Sequence, residues 1–445
     1  MGAKQSVPSK TEILGMLEEA RERTLELIED LSDGQMMGPR LGIINPLLWE
    51  AGHVAWFQEY WVLRHLRGNP PILEHGDALY DSARVEHDTR WDLPLPSREE
   101  TLSYMQSVLD RVRGGANHSG RAGGYDENYF LQLVLFHEYM HSEALTYTRQ
   151  TLSYPRPRVG QANARGLEPT GVASAKVAGD ARIPGGEFML GGAKNSPFVF
   201  DNEQWEHPVE VRPFSISKTA VTNAEFAGFV DDHGYERREF WSEEGWRWRE
   251  RAKALCPIYW ERTSSEGWAR RHFDEVIPLG EGLPVIHVNW HEAEAYCRWA
   301  GRRLPTEAEW EAAASLEPSP DGLPLSGSKR PYPWGDEPPT PERANLDWRA
   351  MNVIDVAALP EGDSPFGCRQ MIGNVWEWTS TDFNPFPGFE AGPYKEYSEP
   401  WFGDHKVLRG GCWATRSVLI RNQYRNFYKP DRRDVLAGFR TCAIQ

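Results

Sequence analysis

The stretch that most constrains the fold is residues 128–147, NYFLQLVLFHEYMHSEALTY. Its apolar residues recur every three or four positions, which predicts an amphipathic helix with a buried face. His137 and His141 lie four positions apart within it. Because residues i and i+4 of a helix share one face, both imidazoles can point at one metal ion. The spacing predicts a buried helix that supplies two ligands of a metal site.

Two other interpretations of this pair stay open at this point. Histidines in a helix can simply fill a core or an interface. The letters HEYMH also match the HExxH motif of zinc proteases, in which the glutamate is the general base. The spacing favours a metal site, since imidazole is the commonest metal ligand in proteins.

The charge balance excludes several classes of partner. The chain has 65 acidic and 49 basic residues, a formal net charge of −16. Nucleic acids and anionic membranes require basic faces, so neither is expected as a partner. We see no apolar leader and no run of about 18 apolar residues. Five cysteines without a CxxC pair fit a reducing compartment, so we expect a cytoplasmic protein.

Three earlier segments also show helical periodicity, and with residues 128–147 they predict a four-helix bundle. These segments are residues 11–31, 45–66 and 97–113. A polar loop, residues 77–95, is expected between the second and third helices. His53 lies on the second helix among aromatic residues, where it can be a core histidine. Because metal sites in bundles are built from facing helices, His53 is also the natural third ligand.

The composition changes in the second half of the chain. Residues 154–181 are rich in Pro, Gly and Ala and lack periodicity, which indicates a linker. Short apolar runs and turn residues follow, which predict strands interspersed with helices. Strands are expected within residues 184–192, 207–222 and 283–290, and helices over residues 223–233, 291–300 and 307–314. The chain is thus predicted to be α+β, with domains over residues 1–153 and 182–445.

Several long motifs carry a family resemblance. The second half contains LPVIHVNWHEAEAYCRWAGRRLPTEAEWEAAA, MIGNVWEWT, VLRGGCW and RNFYKPDRRDVLAGFRTC. In this order they resemble the formylglycine-generating-enzyme/sulfatase-modifying domain, a C-type-lectin-like α+β fold. The first half, with NPLLWEAGHVAWFQEYW and FHEYMHSEA, resembles the DinB-like helical domain. This pair of domains is the architecture of the ergothioneine sulfoxide synthases and their relatives.

The resemblance implies a cofactor. In that family three histidines bind non-haem iron(II), and they match His53, His137 and His141. Three histidine ligands leave positions for the chalcogen of one substrate and for O₂ as co-substrate. The zinc protease interpretation weakens, because Glu138 is not a base in this family.

The resemblance also implies residues of the substrate pocket. The segment YKEY resembles the one whose tyrosine donates a proton during oxygen reduction, which makes Tyr394 and Tyr397 candidates and favours Tyr394. A phenol suits this role because its ordinary pKa near 10 keeps it protonated. Alternatively, both tyrosines only pack an aromatic loop.

Residues 425–432 resemble the family's substrate-binding segment. Asn426 and Phe427 are expected to contact hercynine, the betaine Nα-trimethylhistidine, because a quaternary ammonium suits aromatic faces. Arg432, and Arg84 or Arg90 of the polar loop, are expected to meet an anionic group.

Departures from the family pattern concern the chalcogen donor. Actinobacterial ergothioneine enzymes carry Asp where this chain has Tyr428, and Gln where it has Met140. Residues 78–102 look more like the selenoneine synthases, which join hercynine to a selenosugar. A sugar needs hydroxyl partners and aromatic surfaces more than a carboxylate. We therefore expect carbon–selenium bond formation at imidazole C2 of hercynine, with Tyr428 near the donor. Ergothioneine synthesis from γ-glutamylcysteine or cysteine is the alternative.

A binding function is the remaining hypothesis. The lectin-like domain could make the chain a glycan-binding scaffold whose helical domain carries only a structural metal. Formylglycine generation is disfavoured, because it needs a closely placed cysteine pair. Cys412 and Cys442 lie 30 positions apart, and all five cysteines are expected to be small buried hydrophobes.

Overall fold

The computed structural model describes residues 8–115, 119–160, 177–263, 267–318, 325 and 329–444. The chain divides into two compact units, Ser6–Val159 and Gly160–Gln445. Most of the linker predicted over residues 154–181 lies outside the described residues. The domain limits at 153 and 182 stay predictions.

The first unit is helical, and its four long helices coincide with the four predicted ones. The helices are α1 Lys10–Glu26, α2 Asp33–Met37, α3 Leu47–Gln58, α4 Gly76–Tyr80, α5 Arg98–Gly114 and α6 Glu127–Thr151. A π-helical segment, Glu59–Leu66, continues α3, and a small hairpin of β1 (Arg121–Ala122) and β2 (Tyr125–Asp126) precedes α6. The predicted loop over residues 77–95 is not wholly irregular, since it includes most of α4 and a 3₁₀ turn at His87–Thr89.

Side-chain caps fix where the long helices begin. Ser97 accepts a hydrogen bond from the backbone N–H of Glu100, whose carboxylate accepts in return from the backbone N–H of Ser97. Ser9 and Glu12 form the same capping box at α1. Asp126 caps α6 by accepting from the backbone N–H of Tyr129. Each cap satisfies N–H groups that the helix itself leaves unpaired.

A buried arginine joins the four long helices. Arg21 of α1 is 2% exposed, and its Nε donates to Glu138 Oε1 of α6 over 2.8 Å. Its two terminal nitrogens donate to the backbone carbonyl of Met105 on α5 (2.6 Å) and to Gln58 Oε1 on α3 (3.0 Å). Thr24 also donates to Glu138. The Glu138 carboxylate is thereby neutralised and hydrogen-bonded at the centre of the bundle.

The second unit is a mixed α/β structure with several small sheets. Its strands are β3 Asp180–Ile183, β4 Gly186–Leu190, β5 His207–Val211, β6 Phe214–Ser217, β7 Trp260–Arg262, β8 Trp268–His272, β9 Glu275–Pro278, β10 Arg302–Arg303, β11 Trp376–Asp382, β12 Lys406–Arg409, β13 Asn426–Tyr428, β14 Ala437–Gly438 and β15 Cys442–Ala443. Its helices are α7 Asn223–Asp231, α8 Glu243–Ala252, α9 Trp290–Trp299 and α10 Glu307–Ser315.

Two of the sheets have four strands each. Their orders are β10-β15-β6-β3 and β13-β12-β11-β14. In the second sheet β12 pairs antiparallel with β11 and β13, and β14 pairs parallel with β11. Trp376 and Trp378 of β11 are buried, and Trp310 of α10 donates to the Glu377 carboxylate over 2.7 Å. The tryptophan-rich motifs of the sequence therefore form the core.

One predicted strand is wrong. Residues 283–290 were expected to be extended, but only an isolated bridge between Pro284 and Thr222 forms there. His287 adopts a φ of +63°, a left-handed conformation that interrupts extended backbone. The apolar residues of the segment are buried all the same. The apolar run is therefore explained by the burial of its side chains, and it does not require a strand.

Within the described residues, none of the helices combines the length and apolarity that crossing a bilayer requires.

The Arg21 cluster makes Glu138→Gln a test of bundle stability. Removing the carboxylate charge leaves a buried guanidinium without its counterion, which typically costs about 3–5 kcal/mol. We expect the free energy of unfolding of the helical unit, measured by urea titration and circular dichroism, to fall by that order. Glu22→Gln removes an exposed carboxylate from α1 and should change it by less than about 0.5 kcal/mol. Equal stabilities for the two variants would contradict this account.

Candidate metal centre

Three histidines of the first unit meet between α3 and α6. One ring nitrogen of each of His53, His137 and His141 lies within 4.8 Å of the corresponding atoms of the other two. The Nε2 atoms of His53 and His137 are 3.3 Å apart. His53 and His137 are 2% and 3% exposed, and His141 is partly exposed. Among the described residues this is the only group of three or more His, Cys, Asp or Glu side chains that could hold a metal.

Hydrogen bonds fix the orientation of two of the rings. The Nδ1–H of His53 donates to the backbone carbonyl of Tyr80 over 2.7 Å. Because a carbonyl can only accept, the Nε2 of His53 carries the lone pair and faces the other histidines. His141 Nδ1 donates to Glu50 Oε1 over 2.8 Å, and Glu50 is 2% exposed. Such second partners orient metal-binding imidazoles and raise their basicity.

Aromatic rings enclose the cluster. Trp49 stacks on His53 with ring centroids 4.8 Å apart and 9° between the planes. Phe57 stacks on His137 at 3.6 Å and 6°. These contacts restrict ring rotation and exclude water from the buried side of the site.

Burial favours the neutral form of two of the imidazoles, those of His53 and His137. The pKa of His53 is held well below its ordinary value by burial, then by the charge of His141 and, more weakly, of Arg90. Burial and the two neighbouring histidines likewise lower the pKa of His137. Metal ions bind neutral imidazole, so both rings are ready ligands at neutral pH.

The donor set fits a divalent transition metal such as iron(II). The separation of 3.3 Å between the Nε2 atoms of His53 and His137 suits two metal–nitrogen bonds of about 2.1 Å. Imidazole suits iron, zinc, copper and nickel, and three ligands leave positions for substrates. His53, His137 and His141 would hold such an ion.

Glu138 is turned away from this cluster. Its carboxylate is fully buried and accepts from Arg21, Thr24 and Gln58 on the opposite side of α6. A carboxylate paired with arginine and aimed away from the histidines cannot act as a general base on metal-bound water. The HExxH letters therefore do not form a protease site.

The two loop arginines differ in position. Arg90 is 8% exposed, donates to Asn45 Oδ1, and lies 3.9 Å from the centroid of the Trp49 ring. Trp49 also stacks on His53, and the charge of Arg90 contributes to lowering the pKa of that histidine. Arg84 has a side chain that is 76% exposed and pairs with Asp81. Of the two arginines predicted to bind an anion, Arg90 lies close enough to His53 to affect its pKa, and Arg84 points into solvent.

The two candidate tyrosines lie on a loop of the second unit. The rings of Tyr394 and Tyr397 are 6.0 Å apart. The hydroxyl of Tyr397 lies 3.2 Å from that of Tyr424, and its ring packs against Phe427 and Phe200. Burial, followed by the negative charges of Glu203 and Asp201, raises the pKa of Tyr397, so the phenol holds its proton.

Asp201 fixes both ends of this loop. Its Oδ2 accepts from the backbone N–H of Gly392 over 3.1 Å, and its Oδ1 accepts from the hydroxyl of Ser398. Asn202 also donates to Ser398 Oγ, and its backbone carbonyl accepts from Arg425 over 2.6 Å. Arg425 immediately precedes β13. The segment at residues 201–202 thus connects the tyrosine loop to the strand with the predicted substrate residues.

Residues Asn426, Phe427 and Tyr428 form β13 and are half-buried. Phe427 stacks on Phe383 at 3.9 Å and 12°. Arg432 donates from two nitrogens to the two oxygens of Asp434, over 2.7 and 2.6 Å, and lies over the Tyr428 ring. Arg432 is therefore engaged by a carboxylate of the chain itself.

Sequence reasoning missed Glu50, Asp201 and the carbonyl of Tyr80. Glu50 precedes His53 by three positions, a spacing that places both on one helix face and offered a usable signal. Asp201 and the Tyr80 carbonyl act on residues distant in sequence, where a local pattern gives no indication.

Comparison with known proteins identifies the family. Residues 168–444 match the sulfatase-modifying factor enzyme 1-like domain, and residues 16–145 match the DinB superfamily. The hercynine oxygenase of Mycolicibacterium thermoresistibile is 36% identical over 443 residues, 98% of this chain and 95% of that protein. The hercynine oxygenase of Mycobacterium tuberculosis is 37% identical, covering 95% of this chain and 96% of that protein. The chain belongs to the hercynine oxygenase family.

A further relative shares less of the chain. The formylglycine-generating enzyme of Streptomyces coelicolor is 36% identical over 60% of this chain and 88% of its own length. The predicted family and its α+β fold, with a DinB-like and a sulfatase-modifying domain, are confirmed. The selenoneine branch stays a prediction.

The lowered pKa values predict how the stability of the metal-free protein depends on pH. Below about pH 6.5 the unfolded histidines bind protons, whereas buried His53 and His137 do not. The folded state is therefore not penalised by these two histidines above about pH 7, and it loses stability relative to the unfolded state as the pH falls toward 5. We expect the melting temperature of the metal-free protein to fall over that window.

The variant His137→Gln tests this prediction. It should reduce the pH dependence of the stability by the equivalent of about one proton. His233→Gln, at an exposed site, is the control and should leave that dependence unchanged. Thermal unfolding between pH 5 and 8 measures the slopes. Identical slopes for His137→Gln and the unmodified protein would contradict the assignment.

Proposed function

We propose that this protein is a non-haem iron(II)- and O₂-dependent enzyme that joins a chalcogen to imidazole C2 of hercynine, with a selenosugar as the favoured donor. The observation that carries the proposal is the buried cluster of His53, His137 and His141, with two rings oriented by Tyr80 and Glu50. Membership of the hercynine oxygenase family supports hercynine as the substrate.

The overall reaction balances with O₂ as the oxidant. A selenol or thiol and the C2–H of hercynine react with O₂ to give the C2-linked selenoxide or sulfoxide and one water. The carbon–hydrogen and chalcogen–hydrogen bonds break, and O₂ is reduced by four electrons. Iron(II) would supply a site for O₂ and the chalcogen together and the electron transfer between them.

The histidine cluster contributes orientation and a dry environment. Trp49 and Phe57 cover His53 and His137, so water does not compete on that face. The Glu50 carboxylate, held on His141 Nδ1, makes that imidazole a stronger donor.

Tyr394 and Tyr397 are the proposed proton donors, with Tyr394 favoured. Either phenol must stay protonated until oxygen is reduced. The raised pKa of Tyr397 and its hydroxyl contact with Tyr424 meet that requirement. The contacts of Asp201 with Gly392 and Ser398 would keep both tyrosines in place.

The residues of β13 are proposed to bind substrate. The aromatic cluster of Phe427, Phe383 and Tyr397 offers ring faces for the trimethylammonium group of hercynine. The guanidinium of Arg432, paired with Asp434, would also donate to an anionic group of the substrate. Arg90 is the better-placed loop arginine, since Arg84 is largely exposed.

The favoured donor follows from Tyr428. A phenol ring offers a hydroxyl and an apolar face, which suit a sugar, and it lacks the negative charge that would hold an amine. γ-Glutamylcysteine and cysteine are the alternative donors.

The decisive assay uses protein loaded anaerobically with iron(II), then exposed to O₂ with hercynine and one donor at a time. We expect a selenium-bearing hercynine adduct with the selenosugar, recognised in mass spectra by the selenium isotope pattern. A sulfoxide formed faster from γ-glutamylcysteine or cysteine would move the protein to ergothioneine synthesis. No hercynine consumption with any donor would overturn the proposal.

Two variants separate metal binding from proton donation. His137→Ala should abolish iron retention and activity, because it removes a buried ligand. Tyr394→Phe should retain iron and slow or divert product formation, since only the phenolic proton is lost. Tyr397→Phe is the matched comparison. Full turnover with full iron content in His137→Ala would refute the site, and a larger effect of Tyr397→Phe would reassign the proton donor.

A further inference from the structure

The last two carbonyls of α4 hold two rings of the metal centre. The backbone carbonyl of Tyr80 accepts from His53 Nδ1, and that of Leu79 accepts from Trp49 Nε1, each over 2.7 Å. Trp49 in turn stacks on His53. The position of α4 against α3 therefore sets the orientation of the His53 ring.

A glycine makes this approach possible. A Cβ built on Gly52 would lie 2.3 Å from Cζ, 2.4 Å from Cε1 and 2.5 Å from Oη of Tyr80. Gly52 lies within α3 and directly precedes His53. Its requirement is one of space, because the ring of Tyr80 rests on the helix backbone where any other residue would carry a side chain.

The Tyr80 ring has little room to withdraw. It is fully buried, with the ring centroids of Trp49 and Tyr104 each 6.5 Å away. Tyr104 is itself held by a hydrogen bond of 2.6 Å to the buried carboxylate of Glu59. Added volume at position 52 must therefore shift Tyr80 as a whole, including the carbonyl that binds His53.

We propose that the contact between Gly52 and the Tyr80 ring is a positioning device for His53, and that it determines the iron(II) affinity of the site. This rests on the proposed metal centre. Outer partners of metal-bound histidines typically change affinity by about 10–100-fold when disturbed. The chain thus uses a residue without a side chain to place a ligand.

The test measures iron(II) dissociation constants anaerobically by competition with a chromogenic chelator. Gly52→Ala should bind iron(II) about 10–100-fold more weakly. Gly15→Ala is the matched control, because it adds the same methyl group inside α1, where nothing lies within 4 Å. It should bind iron(II) like the unmodified protein.

A double variant tests the contact itself. In Gly52→Ala/Tyr80→Leu the smaller side chain makes room for the methyl group while the backbone carbonyl remains. Its affinity should recover to nearer that of the unmodified protein than Gly52→Ala reaches, a non-additive result expected for residues in contact. Cobalt(II) absorption bands, which report ligand geometry, should change in Gly52→Ala and return in the double variant.

The outcomes separate this inference from the proposed function. Unchanged iron affinity and cobalt spectrum in folded Gly52→Ala, or no recovery in the double variant, would overturn the inference alone. An unmodified protein that binds no iron(II) would overturn the proposed function and this inference with it. If Gly52→Ala fails to fold, Tyr80→Leu decides, because it leaves a gap over Gly52 that the added methyl group fills in the double variant. Weaker iron binding in Tyr80→Leu than in the double variant supports the positioning role, and equal binding overturns it.

Discussion

The arrangement of the three clustered histidines depends on the buried ion pair between Glu138 and Arg21. Successive residues of a helix point about 100° apart, so directing Glu138 at Arg21 turns His137 and His141 toward α3. Arg21 also binds α3 and α5, which fixes the rotation of α6 against three helices at once. A buried pair of this kind adds little net stability compared with apolar residues. Its effect here is to specify one rotation of α6 within the bundle.

A second set of contacts determines what α3 presents to the histidines of α6. Glu50 and His53 lie three positions apart, so one helix face supplies a histidine of the cluster and the carboxylate that orients another, His141. The short helix α4 adds its terminal carbonyls from outside the bundle. Two of the three imidazoles, those of His53 and His141, are hydrogen-bonded through the nitrogen Nδ1. Burial lowers the pKa of His53 and His137 and so favours their neutral form. The same burial that lowers the pKa values also makes exact ring placement necessary, since no water can substitute for a missing partner.

Much of this could be predicted because it is encoded locally. The i, i+4 spacing of His137 and His141, the periodicity of the four helices and the Ser97 capping box all refer to neighbours within one helix. The strand expected at residues 283–290 failed because an apolar run reports burial and not backbone conformation, and His287 is left-handed. The partners of His53, Arg90 and the tyrosine loop are backbone carbonyls or side chains from distant segments. Their identity depends on packing, which one sequence does not display.

In the second unit, too, hydrogen bonds from residues distant in sequence position the proposed substrate residues. Asp201 binds both ends of the loop that carries Tyr394 and Tyr397, and the neighbouring Asn202 carbonyl binds Arg425 at the start of β13. Arg425 is itself paired with buried Glu307 on α10. The loop of Tyr394 and Tyr397 and strand β13 are therefore both hydrogen-bonded to buried residues of the core, whereas Tyr428 at the end of β13 is only half-buried. A substitution at Tyr428 would therefore leave the contacts of Asp201 and Arg425 in place.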